Sequence, residues 1–313
     1  MHIVPKQATT LVVGADGLIG GALEAYLRYG DQSVIGTTRR TAGSTAGHVF
    51  LDMAAENVDL HIPQRIDAAV LCAAVTGHAS CENDPLSQRV NVTNTVRLAS
   101  RLLDQGVFVV FLSTNAVFSG TQPFPTENAP TQPATAYGRQ KAEAETRLLS
   151  LAAGTSAAGR LAIVRLTKVV SARTSPLANW IDNLMAGVAI QPFSDLIFSP
   201  VSLAYVVMGL SRLLQAREPG IQHCSGSVDM AYAEFAAELA RYLGVDLSLV
   251  QPVTSTQVGV ALPFRPGFSA LGVNTGGAFG VPESIGSVLT QLPWPNPAIA
   301  HGNSRLDYLR HAK

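Results

Sequence analysis

The chain has 313 residues, which suits one large α/β unit or two domains. Hydrophobic residues make up 47% and charged residues 14%, which excludes a disordered or coiled-coil protein. Lysine plus arginine and aspartate plus glutamate each number 22, and the lack of a basic excess argues against a nucleic-acid binder. The longest apolar runs, such as Val107 to Leu112, are too short to span a bilayer, and the segment from Met1 to Lys6 lacks a signal-peptide layout. Because three widely spaced cysteines are typical of a reducing compartment, we expect a cytoplasmic protein.

Short β-type runs alternate with helical stretches over the first 170 residues. This alternation predicts an α/β fold with a doubly wound parallel sheet, and the nearly continuous apolar strands indicate helices on both faces. The predicted strands are Thr10–Val13, Ser33–Thr37, Ala68–Ala73, Val107–Leu112 and Leu161–Leu166, and the predicted helices are Leu18–Tyr29, Asn91–Leu103 and Tyr137–Leu151. Beyond residue 170 the pattern loosens, with helices predicted at Leu177–Ala186, Leu203–Gln215 and Ala231–Leu243. We expect a smaller C-terminal α/β region there.

A glycine-rich turn joins the first predicted strand to the first predicted helix. Gly14, Gly17 and Gly20 recur every third residue, and Leu18 and Ile19 open the helix. Glycines at such a turn let the backbone approach a pyrophosphate and present N–H groups at the positive end of the helix. The turn therefore predicts a dinucleotide site in a Rossmann-like fold.

The end of the second predicted strand bears on which dinucleotide binds. An NAD site usually places an acidic residue about 20 residues beyond the glycines, where this chain has Arg39 and Arg40. A guanidinium suits a 2′-phosphate by charge and by paired hydrogen bonds. The alternative is two solvated surface arginines. We expect NADP(H) as the cofactor.

Tyr137 and Lys141 lie four residues apart on a predicted helix and so share one face. An ammonium beside a phenol favours the phenolate, and we expect it to bring the pKa of Tyr137 toward the working range of an acid–base catalyst. Ser113 and Thr114 end a central strand, where reactive groups of open α/β sheets collect. A hydroxyl there can hydrogen-bond the carbonyl oxygen of a substrate that receives its proton from Tyr137.

With these motifs the chain resembles the extended branch of the short-chain dehydrogenase/reductase superfamily, and within it the dTDP-4-dehydrorhamnose reductase group. The matching stretches are Gly14, Gly17 and Gly20, Leu51-Asp52-Met53, Cys72-Ala73-Ala74, Asn91, Ser113 to Phe118, and Tyr137 with Lys141. The resemblance implies that Asp52 and Met53 lie at the adenine end of the cofactor and that Ala73 and Ala74 pass alongside it. It covers the chain firmly to about residue 170 and loosely thereafter.

The resemblance also implies the roles of the catalytic residues. Tyr137 is expected to act as general acid and Thr114 to hold the substrate carbonyl, while Lys141 lowers the pKa of Tyr137 and binds the nicotinamide ribose. The family's Asp-Tyr pair after the threonine is Asn115-Ala116 here, so contacts made by those residues do not carry over, although Asn115 stays a candidate for substrate binding. Because this pair offers neither acid nor base at neutral pH, a sugar 4,6-dehydratase is disfavoured.

A nucleotide-sugar needs basic groups for its diphosphate. Lys168 and Arg265 are the candidates retained for substrate binding, although each could instead be a surface or structural charge. The seven histidines show no ligand spacing, so no metal site is predicted.

The leading hypothesis is an NADP-dependent oxidoreductase that reduces a keto group of a nucleotide-linked deoxysugar. An NAD(P)-dependent sugar-nucleotide epimerase needs the same three catalytic residues and remains an alternative. A non-catalytic NADP-binding regulatory subunit is the third reading, since a relative of this family serves methionine adenosyltransferase in that way. We assign residues 1–168 to the NADP-binding domain, with a return segment near 197–224, and residues 169–196 and 225–313 to the substrate region. Family habit implies a homodimer, and neither a nucleic-acid nor a membrane partner is expected.

Overall fold

A parallel β-sheet forms the centre of the molecule. The computed structural model describes residues 8–40, 47–58, 65–262 and 264–292. The Met1 to Lys6 segment and the last part of the predicted substrate region, residues 293–313, lie outside this description. The described strands are β1 (Thr9–Val13), β2 (Ser33–Thr38), β3 (His48–Phe50), β4 (Ala68–Leu71), β5 (Phe108–Thr114), β6 (Leu161–Leu166), β7 (Lys168–Val170), β8 (Ile197–Phe198), β9 (Pro200–Ser202), β10 (Gly220–Cys224) and β11 (Met230–Ala231). The described α-helices are α1 (Leu18–Tyr29), α2 (His78–Asn83), α3 (Pro85–Gln88), α4 (Thr95–Asp104), α5 (Ala136–Ala152), α6 (Leu177–Met185), α7 (Leu203–Ala216), α8 (Tyr232–Leu243) and α9 (Ile285–Gln291).

The order of the strands sets the position of the ligand crevice. Within the described chain the central sheet has seven strands in the order β3-β2-β1-β4-β5-β6-β10, all paired in parallel. The order reverses at β1, which has β2 on one side and β4 on the other. In open α/β sheets ligands bind beyond the carboxyl ends of the strands at such a reversal.

Helices cover both faces of the sheet, as the apolar strands predict. Every residue of β1, β5 and β6 is buried. On one face α1 and α7 bury Leu23 and Leu210 against the sheet, and on the other α4 and α5 bury Leu98 and Leu148. The predicted fold class, a Rossmann-like doubly wound parallel sheet with a smaller C-terminal α/β region, is confirmed.

The C-terminal region has a core of its own. Helices α6, α8 and α9 pack together through Leu184, Phe235, Leu239 and Val288. Two small sheets accompany them, β7 with β9 in parallel and β8 with β11 antiparallel. In the described part of the chain, no helix has the length and apolar character needed to cross a bilayer.

The predicted helix Asn91–Leu103 begins differently in the structure. A π-helical turn spans Arg89–Asn94 before α4 starts at Thr95. The two asparagines of this turn anchor distant backbone: Asn91 binds the N–H and the carbonyl of Val75 at 2.8 Å each, and Asn94 donates to the carbonyl of Met53 at 2.9 Å. These buried amide contacts account for a turn that apolar periodicity does not reveal, and such turns are frequent at functional sites.

Candidate active site

A cleft of about 660 Å³ opens at the carboxyl ends of the central strands. The start of α1, the residues after β4, the end of β5 and the segment after β6 all contribute to its wall. The predicted site residues in this wall are Gly17, Leu18, Ile19, Gly20, Ala74, Thr114, Asn115, Tyr137 and Lys168. The cleft therefore brings together residues from the predicted cofactor, catalytic and substrate sets.

The glycine turn is packed so closely that side chains would not fit. Gly14 has a φ of +87°, and a β-carbon there would lie 2.8 Å from the backbone nitrogen of Ala73. A β-carbon on Gly20 would overlap the carbonyl oxygen of Gly14. Gly17 is the N-cap of α1. Because glycine has no side chain, Gly17 leaves the first N–H groups of this helix uncapped at the cleft. Gly14 and Ala73, also predicted to contact the cofactor, do not line the cleft.

The arginines after β2 lie beside this turn. Asp16, between the glycines, accepts hydrogen bonds from the hydroxyl of Thr38 at 2.9 Å and from the backbone N–H of Arg39 at 3.3 Å. The side chain of Arg40 is 79% exposed, with its Nε 3.9 Å from the Asp16 carboxylate. Sequence reasoning overlooked Asp16, which places an acidic group near both guanidinium-bearing residues.

The predicted adenine-end residues follow β3. The Asp52 carboxylate accepts a hydrogen bond from the N–H of Ala54 at 2.9 Å, and Met53 is buried in the core. Neither lines the cleft, although the Met53 carbonyl is tied to Asn94 of the π-helical turn. Their part in cofactor binding stays a prediction.

A close approach of two elements brings Tyr137 and Thr114 to the same cleft. Thr114 ends β5, and its hydroxyl accepts the N–H of Ala116 at 3.2 Å. Tyr137 lies in the first turn of α5, which Thr135 caps by accepting the N–H of Gly138 at 3.1 Å. A β-carbon on Gly138 would overlap the carbonyl of Ala116, so only glycine lets the helix start this close to the turn after β5.

Lys141 lies behind this wall and does not line the cleft. Its side chain is buried, with Nζ 4.1 Å from the centroid of the Phe111 ring. Burial lowers the pKa of Lys141 from 10.5 to about 8, and the nearby charge of Glu145 opposes that shift. Lys141 is therefore still mainly protonated at neutral pH.

The expected lowering of the pKa of Tyr137 is not found. Burial raises the pKa of this phenol above its ordinary value, with a smaller contribution in the same direction from Cys81. The loss of solvation is the main cause of this rise, and Lys141, one helical turn away, does not offset it. Tyr137 therefore keeps its proton, as a proton donor requires.

A buried polar network behind the site went unpredicted. The Glu145 carboxylate accepts hydrogen bonds from the Ser113 hydroxyl and from the Arg165 guanidinium, the latter at 2.7 Å. Arg165 also lies 3.4 Å from Nε2 of His223, whose Nδ1 donates to the carbonyl of Gly272 at 2.7 Å. Two sequence signals were available: Glu145 follows Lys141 by one turn, and Arg165 is the one charge in the apolar β6.

The candidate substrate residues have different surroundings. Lys168 is the only charged residue in the cleft wall among the described residues, and burial lowers its pKa. Asn115 also lines the cleft, but its amide donates to the carbonyl and hydroxyl of Ser269 at 2.9 and 2.8 Å. Arg265 does not line the cleft, and its guanidinium pairs with Asp195 at 3.2 Å.

A family model described as the RmlD substrate binding domain matches residues 8–281. The chain belongs to this family. The resemblance seen in the motifs is thereby confirmed. Among the relatives of this RmlD-family protein, a dTDP-4-keto-6-deoxy-D-glucose reductase from Streptomyces niveus is 30% identical over 84% of this chain and 88% of its own.

Two further comparisons concern a relative and a solved structure. Methionine adenosyltransferase 2 subunit beta from Xenopus tropicalis is 24% identical over 91% of this chain and 89% of its own. Among solved structures, a dTDP-4-dehydrorhamnose reductase from Bacillus anthracis in complex with NADP superposes with a TM-score of 0.71. It is 21% identical over 86% of this chain and 91% of that one, a likeness that shows the fold.

Proposed function

We propose that this protein is an NADP-dependent reductase that converts a keto group of a nucleotide-linked deoxysugar into a hydroxyl group. The observation that carries the proposal is the shared cleft: Thr114 and Tyr137 face the same space as the start of α1. The relative named as a dTDP-keto-sugar reductase supports the reaction and the substrate class. The solved structure in complex with NADP supports the cofactor.

The glycine turn fits a dinucleotide. A β-carbon at Gly14 or Gly20 would close the turn, and Gly17 leaves the start of α1 without a side-chain cap, as an anion site at a helix N-terminus requires. The exposed Arg39 and Arg40 supply positive charge for a 2′-phosphate beside this turn. A bound NADPH supplies the hydride for the reduction.

The protein's own groups handle the carbonyl oxygen and its proton. The hydroxyl of Thr114 donates a hydrogen bond to that oxygen, and Tyr137, whose raised pKa keeps it protonated, gives it a proton as the carbonyl carbon is reduced. The Lys141 ammonium, buried behind the cleft wall, favours the phenolate left on Tyr137. Contact between Lys141 and the ribose hydroxyls of the cofactor requires that wall to open. Solvent then returns a proton to Tyr137 for the next turnover.

Lys168 is the better placed of the two predicted diphosphate ligands. It lies in the cleft wall and forms no salt bridge in the described part of the structure. The Arg265 guanidinium, in contrast, pairs with Asp195 and accordingly serves the local fold. Substrate binding by Arg265 therefore requires that pair to open.

Replacing Tyr137 by phenylalanine tests the proposal. The assay follows NADPH oxidation with a panel of dTDP-, UDP- and GDP-4-keto-6-deoxysugars. We expect Tyr137→Phe to lose turnover while NADPH still binds, because the phenol acts on the substrate oxygen. Tyr26→Phe, on α1 and packed against the core, is the matched control and should keep activity. Unchanged turnover in Tyr137→Phe would overturn the proposed chemistry.

Two alternatives are separated by the same assay. An epimerase would use Thr114, Tyr137 and Lys141 without net consumption of NADPH and would yield an isomer of the substrate. A regulatory subunit is favoured by the likeness to methionine adenosyltransferase 2 subunit beta over 91% of this chain. That reading predicts no turnover of any keto-sugar and a stoichiometric protein partner in a pull-down.

A further inference from the structure

One irregular segment forms much of the substrate side of the cleft. Residues 264–271 contain no helix or strand, yet six of them line the cleft. These six are Phe264, Pro266, Phe268, Ser269, Ala270 and Leu271. Because no regular ladder fixes this segment, its position depends on individual hydrogen bonds to the rest of the protein.

Asp229 holds the middle of this segment from one side. One oxygen of its carboxylate, Oδ1, accepts the N–H of Ser269 at 2.6 Å and the N–H of Ala270 at 2.7 Å. Hydrogen bonds from backbone N–H groups to a carboxylate are shorter and stronger than those between neutral groups. Asp229 belongs to the turn between β10 and β11 and is absent from the cleft wall.

Asn115 holds the same peptide from the other side. Its Nδ2 donates to the carbonyl oxygen of Ser269 at 2.9 Å and to the hydroxyl of Ser269 at 2.8 Å. Its Oδ1 lies 3.4 Å from the hydroxyl of Thr114. The backbone of Ser269 is thus fixed between Asp229 and the residue that follows the catalytic threonine.

We propose that Asp229 is a positioning residue that fixes segment 264–271 against Asn115 and thereby sets the substrate side of the cleft relative to Thr114. The inference rests on the proposed function, because the segment matters for catalysis only if the cleft binds the keto-sugar. The cofactor side is built from α1 and β2, which this contact does not touch, so NADPH binding should not depend on Asp229.

Two substitutions at Asp229 distinguish the effect of its two hydrogen bonds from the other effects of replacing this residue. Asp229→Asn keeps an oxygen that can accept both N–H groups, whereas Asp229→Ala leaves them without this acceptor. Asp246→Ala is the matched control, because Asp246 also accepts a backbone N–H, that of Ser248 at 2.9 Å, but lies outside the cleft wall. All three variants are made in the full chain.

We measure KM and kcat for the keto-sugar that the panel identifies, the Kd for NADPH, and amide hydrogen exchange in residues 264–271. Asp229→Ala should raise KM about tenfold or more, the effect of losing one good contact, and should speed exchange in the segment. The Kd for NADPH should stay within about twofold, and Asp229→Asn should restore KM and slow exchange to near wild-type values.

Two results would overturn the inference. One is an Asp229→Ala protein that matches Asp246→Ala in both KM and exchange, and the other is an Asp229→Asn protein as impaired as Asp229→Ala. If the wild-type protein reduces no keto-sugar, the proposed function fails separately. Exchange then decides the positioning role: faster exchange in Asp229→Ala alone supports it, and equal exchange in all variants contradicts it.

Discussion

Replacing Glu145 by glutamine should destabilise the protein far more than the same replacement two residues earlier. The Glu145 and Arg165 side chains are each 3% exposed and lie 2.7 Å apart, so the substitution leaves a buried guanidinium without its counter-ion. Breaking a buried pair in this way costs about 3–5 kcal/mol. Glu143 pairs with Arg147 on the same helix at 2.6 Å, but these side chains are 37% and 52% exposed. Such a pair contributes only about 0.3–0.5 kcal/mol.

Urea unfolding followed by circular dichroism measures the free energy of unfolding of both variants, and a thermal melt followed by the same signal measures their Tm. At about 2–4 °C per kcal/mol for a protein of this size, Glu145→Gln should lower Tm by roughly 10 °C and Glu143→Gln by less than about 2 °C. Replacing Glu145 and Arg165 together by methionine removes both charges and should recover much of the loss. Equal and small losses of unfolding free energy in Glu145→Gln and Glu143→Gln would refute the claim that the buried Arg165 depends on Glu145 as its counter-ion.

Three changes in or near the cleft test separate parts of the site. Gly138→Ala should reduce turnover at least about tenfold, because the added methyl would overlap the Ala116 carbonyl and push Tyr137 away. Gly286→Ala, with open space around it, should have no effect in the same steady-state assay. Lys141→Met should abolish turnover yet stabilise the fold, because burial lowers the pKa of Lys141 from 10.5 to about 8. Between these two pH values the unfolded chain binds more protons than the folded one, so the stability of the wild-type protein rises with pH across that window. Urea unfolding at several pH values measures the difference in unfolding free energy between Lys141→Met and the wild type. This difference should be largest below pH 8 and vanish toward pH 10.5, and a difference independent of pH would contradict burial of the Lys141 charge as its cause. Arg39→Ala should weaken NADPH binding about tenfold and leave NADH binding within about twofold in a fluorescence titration, and equal losses for both would exclude a 2′-phosphate contact.

The strongly patterned parts of the fold were predictable from the sequence. The helix Leu18–Tyr29 and the strand Leu161–Leu166 have the predicted bounds, because a glycine turn and a continuous apolar run mark their limits. The short strands β7 to β9 and β11, with two or three residues each, carry too few side chains for a period to show. The π-helical turn before α4 was missed because two asparagines, through distant backbone partners, decide its shape.

The candidate site was predicted where one element carries the motif and missed where several elements meet. Tyr137, marked by its spacing to Lys141, and Thr114, at the end of a central strand, both line the cleft, while their catalytic roles stay predictions. The direction of the pKa shift of Tyr137 was wrong, since burial cannot be read from the spacing to a lysine. No sequence pattern marks Asp229 as a site residue, because its hydrogen-bond partners lie 40 or more residues further along the chain. The division into two domains, the roles of Asp52 and Arg265 and the homodimer stay predictions.

The central sheet takes its last strand from late in the chain. Strand β10 pairs with β6 from Gly220↔Ala162 to Cys224↔Leu166, and α7 packs beside α1 on one face of the sheet. A ribosome must therefore release well over 200 residues before the edge of β6 is covered, and contacts of such long sequence separation slow folding. A fragment cut near residue 170 would expose that strand edge and the apolar face under α7, so it should aggregate where the whole chain stays dispersed.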